Sequence, residues 1–151
     1  MRRIAILAAC LLPATAAQAQ LRVPFIAQRQ PAAPVLTGIE ALRADFLAHT
    51  GSDTIYFAGD SAALMPQYRG ILAAESVWLR QHPDVVVRIE GHANTDDTRD
   101  HALAVGAGRA AAVRDYLVLL GVPPAQMTAV SWGKERPGGA GNARAVTVLV
   151  R

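Results

Sequence analysis

The stretch that most constrains the fold runs from Arg99 to Leu120, RDHALAVGAGRAAAVRDYLVLL. It contains no proline, ends against Gly121, and is followed by Pro123-Pro124, the pattern of a helix C-terminus. An ideal helix turns by about 100° per residue. With Val105 at zero, Ala102, Ala112, Tyr116 and Leu120 fall within about 60° of it, and Val113 lies slightly beyond. Arg109 falls inside this apolar arc, at about 40°. A guanidinium aimed at a core needs a partner, because an unpaired buried charge costs several kcal/mol. Three readings satisfy it. Glu75, at a similar position on the preceding helix, could form an internal ion pair. The head could snorkel to the sheet edge. Or its planar fork could grip the carboxylate of a ligand. The residue pattern alone leaves these open.

The rest of the chain supplies a sheet for this helix to cover. Thr37 is placed to cap a short helix through His49, with Ile39, Leu42, Phe46 and Leu47 on one face, ended by Gly51-Ser52-Asp53. Thr54 to Phe57 is a short β-rich run stopped by Gly59. Leu64 to Gln81 has helical spacing, with Leu64, Tyr68, Ile71, Leu72, Trp78 and Leu79 on one face, and Pro83 stops it. Val85 to Glu90 alternates as a strand, with Val85, Val87 and Ile89 on one side, and Gly91 ends it. Met127 to Trp132 and Arg144 to Val150 read as two last strands joined by GKERPGGAGN. The order strand, helix, strand, helix, strand, strand predicts an α+β, two-layer domain: a mixed four-stranded sheet with its helices packed on one face.

Residues 1–19, MRRIAILAACLLPATAAQA, read as a secretory signal peptide. Arg2 and Arg3 form the basic region, Ile4 to Leu12 the apolar stretch, and Ala17-Gln18-Ala19 the cleavage site. Leu7-Ala8-Ala9-Cys10 offers a competing lipoprotein cut, and membrane anchoring follows only if Cys10 is lipidated. Cutting there leaves a shorter apolar region than usual, so cleavage before Gln20 is the expectation. It removes the only cysteine, and with it any disulfide. Removing Arg2 and Arg3 lowers the 15 basic side chains to 13 against 12 acidic ones. The alkaline isoelectric point of the whole chain therefore carries little weight. With no basic run or aromatic-basic interleaving, nucleic acid is not an expected partner. Residues 20–36, with Pro24, Pro31 and Pro34, read as an extended linker, residues 37–51 as a helical lead-in, and residues 52–151 as the folded domain.

The segment GHANTDDTRDHALAVGAGRAAAVRDYLVLLGV resembles the OmpA-like (Pal-type) peptidoglycan-binding domain family. That family carries G-H-x-D, a Gly three residues on, an Asn-x-x-Leu-Ser or Leu-Gly run, and then Arg-Ala. The spacing from Gly91 to Arg109-Ala110 fits without a gap. IYFAGDSAAL, LRQHPDVVVRIEGH, VSWGKERP and NARAVTVLV resemble further family motifs in the same order, covering roughly residues 54–151. The resemblance implies an exported, periplasmic or outer-membrane-associated protein that binds peptidoglycan noncovalently and is not an enzyme, with other envelope proteins as further candidate partners. It implies a site for the diaminopimelate of the peptide stem, in which an Asp answers the ammonium and Arg109 the carboxylate. The implied ligand-binding residues are Asp60, Asn94, Thr95, Val105, Arg109 and Arg144. Several positions depart from the pattern. Asn94 stands where the Asp is expected, Asp97 replaces the Gly, Ala102 the Asn, Val105-Gly106 the Leu-Ser, and Ala143 the first Arg before Arg144. Asp96 or Asp97 could supply a carboxylate from the same loop. A domain of this type used as a scaffold, without the ligand, is the alternative.

Gly106-Ala-Gly-Arg-Ala-Ala111 also matches G-x-G-x-x-A, which makes a dinucleotide-binding oxidoreductase the remote enzyme alternative. The preceding segment is helix-compatible, however, and the acidic residue expected about twenty positions on is missing. No cofactor is therefore expected. His49, His82, His92 and His101 show no metal spacing, so no metal is expected either. His92 is expected to brace the G-H turn by hydrogen bonding. Ser61, Ser76 and Ser131 lie in no nucleophile elbow. Trp78 is assigned to the core, and Trp132 to a strand end where it covers the pocket or packs.

Overall fold

The computed structural model describes residues 38–94, 96, 98–136 and 143–150. The leader, Cys10, the linker, Thr37, Thr95, Asp97 and most of the turn-rich stretch before Arg144 lie outside them. In chain order the elements are α1 (Ile39–Thr50), β1 (Thr54–Tyr56), α2 (Arg69–Gln81), β2 (Val87–His92), α3 (Arg99–Leu119), β3 (Met127–Gly133) and β4 (Arg144–Leu149). Short 3-10 turns precede α2 and β3. The sheet order is β1-β4-β2-β3. β2 and β3 are parallel, and β4 runs antiparallel to both of its neighbours. This is the expected mixed four-stranded α+β fold. Among the described residues no helix is long and apolar enough to cross a membrane.

The core lies between the sheet and the helices. Val87 and Ile89 of β2 and Leu149 of β4 meet Leu72, Trp78 and Leu79 of α2 and Val113 and Leu117 of α3. Phe46 of α1 joins them, its ring edge-on to Trp78 at 5.1 Å. Trp78 Nε1 donates to Asp45 Oδ2 at 2.7 Å. The lead-in helix is thus part of the packed unit, because it supplies an aromatic side chain that the small sheet needs.

Three elements start at residues other than those of the sequence reading. Gly38, which lacks a capping side chain, occupies the N-cap of α1. The α2 segment begins with a 3-10 turn at Pro66, so Leu64 and Met65 precede the helix. β2 starts two residues later than expected and continues through Gly91 to His92. Gly91 does not end the strand; it pairs with both Ser131 and Ala145. Its missing side chain serves another purpose. A Cβ at Gly91 would clash with the backbone carbonyl of Gly106, and one at Gly106 would sit 2.8 Å from the Gly91 oxygen. α3 therefore crosses β2 backbone against backbone. Ser131 Oγ donates to the Leu103 carbonyl at 2.7 Å beside this crossing.

That approach turns α3 away from the expected arc. Its buried residues are Ala102, Gly106, Arg109, Ala110, Val113 and Leu117, centred about 90° from Val105 at 100° per residue. Val105, Ala112 and Tyr116 are only half-buried. Leu and Tyr mark an apolar face by bulk, whereas this helix buries its smallest residues to come close to the sheet.

Candidate functional site

Arg109 is fully buried, with no exposed surface. Its Nε donates to the Ser61 carbonyl at 3.1 Å, one terminal nitrogen to the His92 carbonyl at 2.6 Å, and the other to the Gly59 carbonyl. The guanidinium carbon lies 5.5 Å from the centroid of the Phe57 ring. The loop after β1 and the end of β2 are thus drawn to one side chain. Oriented carbonyl dipoles and a ring face contribute to compensating its fixed charge. Glu75 is not its partner. That carboxyl is turned to β4, where it accepts from Thr147 Oγ1 at 3.1 Å. The inward arginine is explained by a fourth arrangement: it clamps the loop after β1 to the end of β2.

The clamp gathers most of the sequence-predicted site. Asp60 is exposed between the two clamped carbonyls, its Oδ2 3.3 Å from His101 Nε2. Asn94 is half-buried two residues beyond His92. Val105 lies one helical turn before Arg109. Arg144 is the cross-strand neighbour of His92 and donates to the Arg136 carbonyl at 3.3 Å. All four stand at the carboxyl end of β2, around Arg109. Asp96 is exposed in the loop that follows.

His92 braces the site through both its main chain and its ring. Its backbone carbonyl accepts from Arg109 and its ring hydrogen-bonds the Arg136 backbone, whereas Nδ1 has no hydrogen-bond partner among the described residues. Burial, then the neighbouring Arg144 charge, lowers the pKa of its ring, against the pull of Glu90. The surroundings thus favour the neutral imidazole. Beside it Arg88 pairs with Glu90 at 2.6 Å, and the Arg136 guanidinium stacks 3.6 Å from the Trp132 ring centroid. Trp132 therefore packs under an arginine at the end of β3.

His101, Gly59, Ser61 and Phe57 were absent from the sequence-derived set. The carbonyls carry no residue-type signal, since any residue can supply one. His101 was visible as one of four histidines, but only the fold brings it to Asp60. The glycines of G-x-G-x-x-A lie inside one continuous helix, where the backbone N–H groups serve the helix ladder and cannot cradle a pyrophosphate. Among the described residues no group of three metal-ligating side chains converges.

The sequence pattern of the OmpA family matches residues 56–148. The chain belongs to the OmpA family. The peptidoglycan-associated lipoprotein of Rhizobium meliloti is 42% identical over 113 residues, spanning 70% of this chain and 64% of that protein. The peptidoglycan-associated lipoprotein of Pseudomonas aeruginosa is 45% identical over 84 residues, spanning 56% of this chain and 49% of that protein. The chain thus spans less than two thirds of the length of these relatives. The crystal structure of the peptidoglycan-associated lipoprotein from Burkholderia pseudomallei superposes with a TM-score of 0.64 at 38% identity, covering 66% of this chain and 92% of that one. The C-terminal domain of Helicobacter pylori MotB shares the fold, with a TM-score of 0.59 at 19% identity.

Proposed function

We propose that this OmpA-family domain binds peptidoglycan noncovalently and ties the cell envelope to the cell wall. The observation that carries the reading is the buried Arg109, which holds the Gly59–Ser61 loop that carries Asp60 to the end of β2, two residues before Asn94 and paired with Arg144, in a chain whose relatives are named for peptidoglycan. The ligand class is the diaminopimelate of a peptide stem, which offers a carboxylate and an ammonium. Arg109 provides the fixed positive charge and holds the loops in place. Asn94 offers a neutral hydrogen-bonding group toward the ammonium, and Asp60 a carboxylate on the facing loop. Thr95 belongs to the same proposed set, through the loop that continues from Asn94.

The test is co-sedimentation of the purified mature protein with insoluble peptidoglycan. Binding is expected, and Asn94→Asp should tighten it by about tenfold, because one charge-assisted contact is worth about 1.5 kcal/mol. Protein that stays in the supernatant at every peptidoglycan concentration would leave the scaffold reading, which the neutral Asn94 favours.

Export before Gln20 is the second part of the proposal. The intact mass of the exported protein should begin at Gln20 and carry no lipid. A lipidated N-terminal Cys10 would instead make this chain a membrane-anchored lipoprotein, as its relatives are named.

A further inference from the structure

Glu75 lies in the middle of α2 with no exposed surface. It faces the sheet from a helix whose other buried residues are Leu72, Ser76, Trp78 and Leu79. One carboxyl oxygen accepts from Thr147 Oγ1 of β4, and Oε1 has no hydrogen-bond partner among the described residues. The charged groups on neighbouring elements do not help it. Asp53, just before β1, repels it. On α1, Arg43 donates to the Leu149 carbonyl and Asp45 accepts from Trp78. On α3, Arg109 is turned to the loop carbonyls. Among the described residues a carboxylate here would have one hydroxyl donor and no cation, which disfavours its charged form.

We propose that Glu75 is a protonation-dependent latch between α2 and β4: as the neutral acid it lets the helix lie flush on the sheet, and its ionisation loosens that seam while the α3 seam stays shut. Burial, the largest cause, opposed by the Thr147 hydrogen bond and reinforced by Asp53, pushes its pKa up to about 8 from an ordinary 4.5. The folded pKa is raised, so the contribution to stability is fully present below about pH 4.5. It is lost as pH rises through about 8. Within that window the folding equilibrium should fall by up to about tenfold per pH unit. His92 works in the opposite direction. Its lowered pKa costs stability as pH falls below the ordinary histidine range, so a wild-type curve alone mixes the two groups.

The experiment compares the protein with Glu75→Gln from pH 5 to 9, using denaturant unfolding and hydrogen exchange at matched pH. The ratio of the two folding constants should turn against the wild type steadily up to about pH 8. Between pH 7 and 9, α2 amides of the wild type should exchange faster than those of the variant, while α3 amides stay equal. A ratio independent of pH, or equal exchange along α2, would overturn the proposal. Should Glu75→Gln not fold, carbon-13 titration of the wild-type Glu75 carboxyl decides. A midpoint near 8 supports the latch, and one in the ordinary carboxylate range rejects it.

Discussion

Two helices cover the same sheet and each carries one buried ionisable side chain, yet the two seams treat charge in opposite ways. At the α3 seam the charge of Arg109, which proteins do not discharge, is met by the carbonyls of Gly59, Ser61 and His92. At the α2 seam Glu75 meets one hydroxyl and is held neutral. The contrast shows that a buried group that cannot be discharged must gather polar partners such as backbone dipoles, whereas a titratable one can give up its charge instead. An arginine recruits such dipoles readily, since carbonyls in loops have lone pairs to spare. A carboxylate needs N–H donors, and here those are committed to helix and sheet.

The seams also differ in how closely they pack, and the largest effect should come from breaking the α3 contact. Gly91→Ala places a methyl group against the Gly106 carbonyl. Rigid backbone on both sides cannot give way, so the loss should be about 3 kcal/mol or more, read as a collapse of the denaturant midpoint. Arg109→Ala should follow closely. It strands three carbonyls around an emptied cavity, for a loss of about 3 kcal/mol that a thermal melt would show alongside weakened peptidoglycan binding. Arg109→Lys sharpens the point: it keeps the charge but not the three-way fork, so most of the stability loss should persist. The smallest effect tests the limits of the close contact. A Cβ at Gly108 would meet only the Ala62 methyl, at an ordinary 3.5 Å. Gly108→Ala should therefore be neutral or stabilise the domain by up to about 1 kcal/mol through helix propensity alone. A Gly108→Ala variant as damaged as Gly91→Ala would mean that the whole helix, not the single crossing, is tightly packed.

Much of this architecture was legible before any coordinates. The two long helices, four strands and the motif order fixed by Gly91, Arg109 and Arg144 follow from periodicity and resemblance. What escaped has a common physical origin in small residues and backbone atoms. The buried arc of α3 was misjudged because Gly106 and Ala110 carry little hydropathy signal. β2 was ended too early because a glycine inside a strand looks the same as one after it. The clamp around Arg109 was hidden because Gly59, Ser61 and His92 contribute only carbonyls to it. In each case the side chain's identity is silent and the geometry of the main chain carries the information.

The sheet order has a consequence for how this molecule comes into being. β4, the last of the four strands in the chain, lies between β1 and β2. Among the described residues β1 pairs with no other strand. Until residues 144–149 arrive, the first strand has nowhere to dock, while β2, α3 and β3 can already assemble as a parallel unit. A chain made from its N-terminus therefore carries its first strand unpaired until its closing strand is complete. The Gly59 and Ser61 loop can reach Arg109 only when β1 is seated. The Arg109 end of the sheet becomes whole last, once β4 is in place.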